Sequence, residues 1–174
     1  MLLWVNGPFG AGKTTATEGL AASREDTRVF DPELVGYLLR RLIVEPVDDF
    51  QSWAAWRALV AETAVQLQAH YAGDLLAPMS LLHRPWAEEI LARVEAAGVP
   101  QRHVLLHVDE RELRRRIETD EVEAGAGQRR LEAISRYRAA EPWLRGLGLV
   151  LDTTDMSRDD VQRSIRTWLD TERS

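Results

Sequence analysis

Cysteine is absent from this 174-residue chain, which excludes disulfide bonds, thiolate metal sites and cysteine nucleophiles. Long hydrophobic runs are absent too, and none approaches the roughly 20 residues that span a bilayer. The apolar start, Met1–Val5, is too short for a signal peptide and carries no basic residue. We therefore expect a cytoplasmic protein with no membrane span.

Lysine is nearly absent, since Lys13 is the only one and arginine supplies the remaining positive side chains. The net charge is −6, which argues against broad nucleic-acid binding, so we expect no nucleic-acid partner. With 45% hydrophobic and 29% charged residues, the chain has the composition of a soluble globular protein. Its length fits a single domain over residues 1–174.

Short apolar runs alternate with helical patterns along the whole chain. Strands are predicted at Leu2–Val5, Arg28–Phe30, Asp74–Met79, Val104–Val108 and Leu149–Leu151. Helices are predicted at Lys13–Ala22, Pro32–Leu42, Phe50–Tyr71, Trp86–Ala97, Glu110–Glu118, Arg129–Glu141 (ending before Pro142) and Arg158–Leu169. This alternation predicts an α/β fold with a doubly wound, five-stranded parallel sheet.

The segment Gly7–Thr14 matches the phosphate-loop pattern G-x-x-x-x-G-K-[ST] between an apolar strand and a helix. Its glycines let backbone amides turn inward around a polyphosphate, and the helix N-terminus adds partial positive charge. Lys13 can reach the β- and γ-phosphates, and Thr14 can offer its hydroxyl to Mg²⁺. The pattern predicts ATP and Mg²⁺ as cofactors. The expected nucleotide contacts are Gly7, Phe9, Gly10, Ala11, Gly12, Lys13, Thr14 and Thr15.

Two absences narrow the class of phosphate-loop protein. The chain has no Asn-Lys-x-Asp stretch for recognising guanine, which disfavours GTPases. No acidic residue ends the third strand, which disfavours ATPases that activate water through such a residue. Small size, five strands and an arginine-rich segment are typical of nucleoside- and shikimate-type kinases. A lid is expected around residues 118–130, centred on Asp120–Gly127. The flanking arginines are Arg114, Arg115, Arg116, Arg129 and Arg130.

Arg116 is the best candidate among these arginines for stabilising the transferring phosphoryl group. The alternative is that the arginines form a solvated helix face with the neighbouring glutamates. Thr153 follows the fifth strand, where a loop can contact the base of the nucleotide. These side chains complete the predicted ATP site.

The acceptor side is predicted at the end of the second strand, next to the phosphate loop. Asp31 either orients an acceptor hydroxyl or caps the following helix. Glu33 either helps to bind the acceptor or favours the helix dipole. Trp53, Trp56 and Arg57 are candidates for the wall of an acceptor pocket that takes an aromatic or sugar ring. The alternative for the two tryptophans, three positions apart, is that they belong to the core.

Several stretches outside the phosphate-loop pattern indicate a particular family. They are residues 4–7, 30–33 with Gly36, 48–52 with Trp56 and Arg57, and 78–80. In these the chain resembles the tunicamycin-resistance ATP-binding proteins over almost its whole length. The resemblance implies ATP-dependent binding or modification of a nucleoside-like antibiotic. It favours a phosphotransferase acting on a small nucleoside-like or antibiotic acceptor.

Two rival interpretations stay open, a kinase of an ordinary metabolite and a nucleotide-gated protein that sequesters a drug without turnover. The second is favoured by the lack of a carboxylate at the end of the third strand and by Asp120, where related kinases often carry an arginine. The sequence predicts neither the acceptor's identity nor the oligomeric state.

Overall fold

The computed structural model describes residues 1–45, 47–119 and 127–172. The strands are β1 (Leu2–Asn6), β2 (Thr27–Val29), β3 (Asp74–Pro78), β4 (Gln101–His107) and β5 (Leu149–Asp152). The helices are α1 (Lys13–Ala22), α2 (Glu33–Arg40), α3 (Ala54–His70), α4 (Arg84–Ala96), α5 (Glu110–Glu118), α6 (Gly127–Leu144) and α7 (Arg158–Glu172). A 3₁₀ turn covers Phe50–Ser52.

The five strands form one parallel sheet in the order β2-β3-β1-β4-β5. Every residue of β1 is buried, as expected for a central strand that helices cover on both faces. The predicted α/β fold with a five-stranded parallel sheet is confirmed. The carboxyl ends of the strands gather at one edge, where open α/β sheets bind ligands.

Successive residues of β1 feed two separate cores, because side chains alternate across a strand. Leu2 and Trp4 pack with α3 and α4 side chains such as Trp56 and Ile90. Leu3 and Val5 belong to the core on the opposite face, with side chains of α1, α5 and α7 that include Leu20, Leu113 and Ile165. Helix α6 covers β4 through a smaller cluster of Leu105, Tyr137 and Leu144.

Most element boundaries move by only a few residues from the prediction, but two helices differ in kind. The predicted helix from Phe50 begins as the 3₁₀ turn, because Trp53 takes an extended conformation (φ −70°, ψ 122°) and separates that turn from α3. Helix α6 runs through Pro142 to Leu144, where an end before Pro142 was predicted. Proline near the last turn removes one N–H donor, and burial of Leu144 stabilises the extension.

Three smaller corrections concern α2 and β4. Helix α2 starts at Glu33 and stops at Arg40, short of the predicted Leu42. Strand β4 begins three residues earlier than predicted, at Gln101, because residues 101–103 pair with β1. Within the described ranges, no helix is both long and apolar enough to cross a membrane.

Candidate nucleotide and acceptor site

The phosphate loop connects the central strand β1 to α1 at the carboxyl edge of the sheet. Gly10 and Gly12 adopt left-handed φ angles of 81° and 84°, which non-glycine residues rarely tolerate. A β-carbon at Gly7 would lie 2.6 Å from the Leu106 carbonyl oxygen, so a side chain there would force the loop away from β4. The loop conformation therefore depends on glycine at these positions.

Lys13 is held against its own loop. Its Nζ atom donates to the carbonyl oxygens of Gly7 (3.1 Å) and Pro8 (2.8 Å), and it lies 5.5 Å from the centre of the Phe9 ring. Thr14 and Thr15 follow in the first turn of α1, where Thr14 is exposed. The predicted loop residues are thus next to one another at the N-terminus of α1, whose dipole favours anions.

A cavity of about 1120 Å³ opens above the phosphate loop. Loop residues 10–12 with Thr14 and Thr15 form one wall, and Glu112, Arg115, Arg116 and Thr119 of the α5 region form the second. The third wall is the segment that runs from Thr153 into the start of α7. The cavity brings the predicted contacts at Gly10–Gly12, Thr14 and Thr15 together with Arg116 and Thr153, whereas Gly7, Phe9 and Lys13 do not line it. Its volume is ample for a nucleotide.

Arg116 bridges two walls of this cavity. Its Nε atom donates to Glu112 (2.8 Å), and its Nη2 atom donates to the carbonyl oxygens of Thr153 (2.8 Å) and Thr154 (3.1 Å). Hydrogen bonds from Arg115 and Arg116 hold the pKa of Glu112 at about 2, so the carboxylate is charged near neutral pH. Arg116 therefore joins α5 to the loop after β5.

The neighbouring arginines lie at the surface in intrahelical ion pairs. Arg114 pairs with Glu110 at 2.8 Å and Arg115 with Glu112 at 2.7 Å, which fits the solvated helix face left open above. The centre of the predicted lid, residues 120–126, lies outside the described residues. The side chains of Arg129 and Arg130 also lie outside them.

Thr153 is almost fully buried, with 1% of its surface exposed. Its backbone N–H and its hydroxyl both donate to the His107 carbonyl oxygen, at 2.8 and 3.0 Å. Its own carbonyl accepts from Arg116. Thr153 thus shapes the cavity wall through bonds that already satisfy its polar groups.

Asp31 follows β2, but the predicted position directly beside the phosphate loop needs correction. Strand β3 lies between β2 and β1, so two strand spacings, about 10 Å, separate the ends of β2 and β1. The Asp31 Oδ1 atom accepts from the backbone N–H of Glu33 at 2.9 Å and caps α2. The Glu33 carboxylate accepts from the Tyr37 hydroxyl at 3.2 Å.

Trp56 lies in the core, which is the alternative that the sequence left open. It is 0% exposed, and its indole N–H donates to the Pro32 carbonyl at 3.2 Å. Trp53 is half-buried and packs against the same core. Trp56 therefore stabilises the start of α2 through this hydrogen bond, and it is too buried to contact a ligand.

Arg57 connects the 3₁₀ turn with α4. Its Nη1 atom donates to the carbonyl oxygens of Gln51 (2.7 Å) and Ser52 (2.8 Å), and its Nε atom bonds to Glu89. The hydrogen bond from Arg57 is the main reason that the pKa of Glu89 is lowered. A second cavity of about 510 Å³ lies beside this turn, lined by Val47, Asp48, Asp49 and Ser52.

The family model of an AAA domain matches residues 2–142. This chain belongs to that AAA-domain family. No curated protein matches it by sequence. The tunicamycin resistance protein of Deinococcus radiodurans has a similar structure, with a TM-score of 0.74 at 23% identity over 97% of this chain and 94% of the other.

Two kinases share the fold at lower identity. A sugar kinase from Janibacter gives a TM-score of 0.64 at 18% identity, covering 97% of this chain and 94% of its own. The shikimate kinase of Aquifex aeolicus gives 0.64 at 13% identity, with 99% and 98% covered. The AAA-domain chain thus has the P-loop kinase-like fold, and its predicted resemblance to the tunicamycin-resistance proteins is confirmed in structure.

Sequence reasoning missed several polar residues of this AAA-domain protein that shape the site. Asn6 accepts from the backbone N–H groups of Gly7 (2.7 Å) and Leu81 (3.1 Å), which ties the phosphate loop to the end of β3. Glu112 orients Arg116, and Arg136 of α6 lies 3.9 Å from Asp49 across the acceptor side. Asn6 lies in the stretch 4–7 that carries the resemblance, and its place at the end of an apolar strand is a further signal in the sequence.

Proposed function

We propose that this chain is an ATP-dependent phosphotransferase acting on a hydroxyl group of a small molecule, such as a nucleoside-like compound or an antibiotic. One observation carries the proposal: the phosphate loop, α5 and the loop after β5 enclose a single nucleotide-sized cavity at the carboxyl edge of the sheet. The acceptor candidate Asp31 follows a strand that ends at that same edge.

The residues present fit a magnesium nucleotide. The loop glycines leave room for backbone amides to face phosphate oxygens, and the Lys13 ammonium can move from the Gly7 and Pro8 carbonyls to them. Among the described residues, no group of three or more histidine, aspartate or glutamate side chains could hold a metal ion. Magnesium would therefore be held by the Thr14 hydroxyl and by the phosphates themselves.

In the transfer step, an acceptor oxygen forms a bond to the γ-phosphorus while the bond to the ADP oxygen breaks. Bound ATP supplies the phosphoryl group. Asp31 would take the proton of the acceptor hydroxyl, and Lys13 would stabilise the negative charge of the moving group. Glu33 and Arg57 would help to shape the acceptor side. We further propose that residues 1–174 form one domain and that the protein is cytoplasmic.

The names of similar proteins support the acceptor class only broadly. A tunicamycin resistance protein suggests a nucleoside-like antibiotic, and a sugar kinase suggests a sugar hydroxyl. A nucleotide-gated binder without turnover is the second candidate. It is favoured by the sequence at the end of β3, Pro78, Met79 and Ser80, which contains no carboxylate.

The test is ATP consumption in the presence of magnesium, with and without a panel of nucleosides, sugars and nucleoside antibiotics. Mass spectrometry of the acceptor checks the product. A mass increase of one phosphate on an acceptor supports the phosphotransferase. ATP-dependent retention of an unmodified ligand supports the binder and overturns the proposed transfer.

A further inference from the structure

Two polar residues that the proposed reaction does not use are buried between the phosphate loop and the acceptor side. Ser80 is 6% exposed and Gln51 is 7% exposed. The Ser80 hydroxyl donates to the Gly7 carbonyl at 2.8 Å, and the Gln51 side-chain amide donates to the Ser80 carbonyl at 3.2 Å. We call this chain of bonds, Gly7–Ser80–Gln51, the buried relay.

Each end of the buried relay lies in a functional segment. At one end, the Gly7 carbonyl accepts from Ser80 and also from the Lys13 ammonium. At the other end, the backbone N–H of Gln51 donates to Asp49 at 2.9 Å, in the 3₁₀ turn that borders the second cavity. The relay thus joins the phosphate loop to the acceptor-side turn.

Buried hydrogen bonds of this kind resist rearrangement, since a lost partner leaves a polar group without water. When Lys13 leaves the Gly7 carbonyl for a phosphate, the Ser80 hydroxyl remains as that carbonyl's donor. Stronger bonding of Ser80 to Gly7 then restrains residue 80, and through its carbonyl the side chain of Gln51. The two bonds use different groups of Ser80, its hydroxyl and its carbonyl, so the restraint passes through the covalent geometry of residue 80.

We propose that Ser80 and Gln51 are positioning residues that couple nucleotide binding at the phosphate loop to order in the turn at residues 49–52. The turn's importance for the acceptor rests on the proposed function. The coupling itself is a property of the nucleotide-bound protein and can be measured without any acceptor.

The test is amide hydrogen exchange of the full chain, with and without a non-hydrolysable ATP analogue and magnesium. The reporters are the backbone amides of Gln51, Ser52 and Trp53, which donate to Asp49 and Phe50. In the wild type the analogue should slow their exchange about 3- to 10-fold, the equilibrium factor of one buried hydrogen bond. Ser80→Ala and Gln51→Leu should each remove that slowing while changing analogue affinity less than about threefold.

Gln101→Leu is the matched control. Gln101 also donates its side-chain amide to a backbone carbonyl, that of Leu91 at 2.9 Å, and accepts from Trp4 at 2.9 Å, but it lies outside the relay. This variant should lose stability and keep the exchange response at residues 51–53. Ser80→Thr retains the hydroxyl and should restore the response, which a purely structural role for Ser80 would not require.

The proposal is wrong if the wild type binds the analogue and the amides of residues 51–53 exchange unchanged. It is also wrong if Gln101→Leu abolishes the response as fully as Gln51→Leu does, because the effect would then follow general stability. Failure of the wild type to bind the analogue at all would instead overturn the proposed function, and the relay with it.

Discussion

The Arg116 guanidinium donates a 2.8 Å hydrogen bond to the Thr153 carbonyl oxygen, across the cavity above the phosphate loop. This bond joins α5 to the loop after β5, two segments that are 37 residues apart in the chain. The arginine expected to meet the moving phosphoryl group thus also connects two walls of the cavity. The Nε atom of Arg116 also donates a 2.8 Å hydrogen bond to the Glu112 carboxylate.

Arg116→Gln should therefore weaken nucleotide binding and lower the melting temperature together. Arg114→Gln is the control, since Arg114 pairs with Glu110 on the same helix, is 48% exposed against 24% for Arg116, and does not line the cavity. Loss of the bonds to Glu112 and Thr153 lowers stability, whereas loss of one charge-assisted bond from Arg116 to a phosphate would cost about 1.5–3 kcal/mol, or roughly 10- to 100-fold in ATP affinity. Calorimetric titration measures the ATP affinity. Equal losses of ATP affinity in the two variants would contradict a role in nucleotide binding that only Arg116 has.

Lys13→Ala and Thr14→Ala should each impair the use of magnesium ATP and leave the fold intact. Turnover should fall by roughly 10²-fold or more for Lys13→Ala, the scale for losing one preorganised donor to developing charge. Because Lys13 is the only lysine, lysine-selective isotope labelling reports on a single side chain in the magnetic resonance spectrum. A Lys13 signal that does not move on nucleotide addition would argue against its phosphate contact.

Asp31→Asn separates three roles of that residue. If Asp31 accepts the acceptor proton, turnover should fall by roughly 10²-fold or more while ATP affinity is kept. If the protein only sequesters a ligand, the change should alter ligand affinity alone. Asparagine caps helices about as well as aspartate. Full activity in this variant, with the cap to Glu33 preserved, would therefore leave Asp31 as a cap and nothing more.

Stability should fall in mild acid because of His103, whose pKa burial lowers from 6.5 to about 4. Its Nδ1 atom is buried and has no hydrogen-bond partner among the described residues. Below pH 6.5 the imidazole is protonated in the unfolded chain before it is protonated in the folded protein. The stabilisation that the neutral His103 provides is therefore complete above pH 6.5 and is lost as pH falls toward 4. The free energy of unfolding falls by about 3 kcal/mol over this range.

Urea unfolding between pH 7 and pH 4 measures this loss. His103→Phe should reduce the pH dependence, because the ring no longer titrates, and carboxylates with lowered pKa values such as Glu112 account for the rest. His70→Gln replaces an exposed histidine at the end of α3 as the control. A pH dependence as steep in His103→Phe as in the wild type would assign the acid sensitivity to other groups.

The fold was predictable from the sequence because strand and helix patterns alternate with clear local signals. The Gly7–Thr14 pattern identified the phosphate loop, and the helix predicted at Glu110–Glu118 has the bounds of α5. The order of strands was less accessible. Nothing local indicates that β3 inserts between β1 and β2, so the distance from Asp31 to the phosphate loop was underestimated.

The role of a side chain was predictable where its partner is close in the sequence, and the prediction failed where the partner is distant. The cap at Asp31 follows from residues two positions apart, and the structure has it. The contact of Trp56 with Pro32 spans 24 residues, and that of Ser80 with Gly7 spans 73. Such pairings depend on the packing of whole elements, which periodicity does not encode.

The most direct test follows the γ-phosphate itself. ATP carrying a radiolabel at that position is incubated with magnesium, the protein and each member of the acceptor panel, and the labelled species are separated. The account predicts label on an organic product that depends on both Lys13 and Asp31. Label that remains in ATP or appears only as inorganic phosphate, whichever acceptor is present, would contradict phosphoryl transfer by this protein.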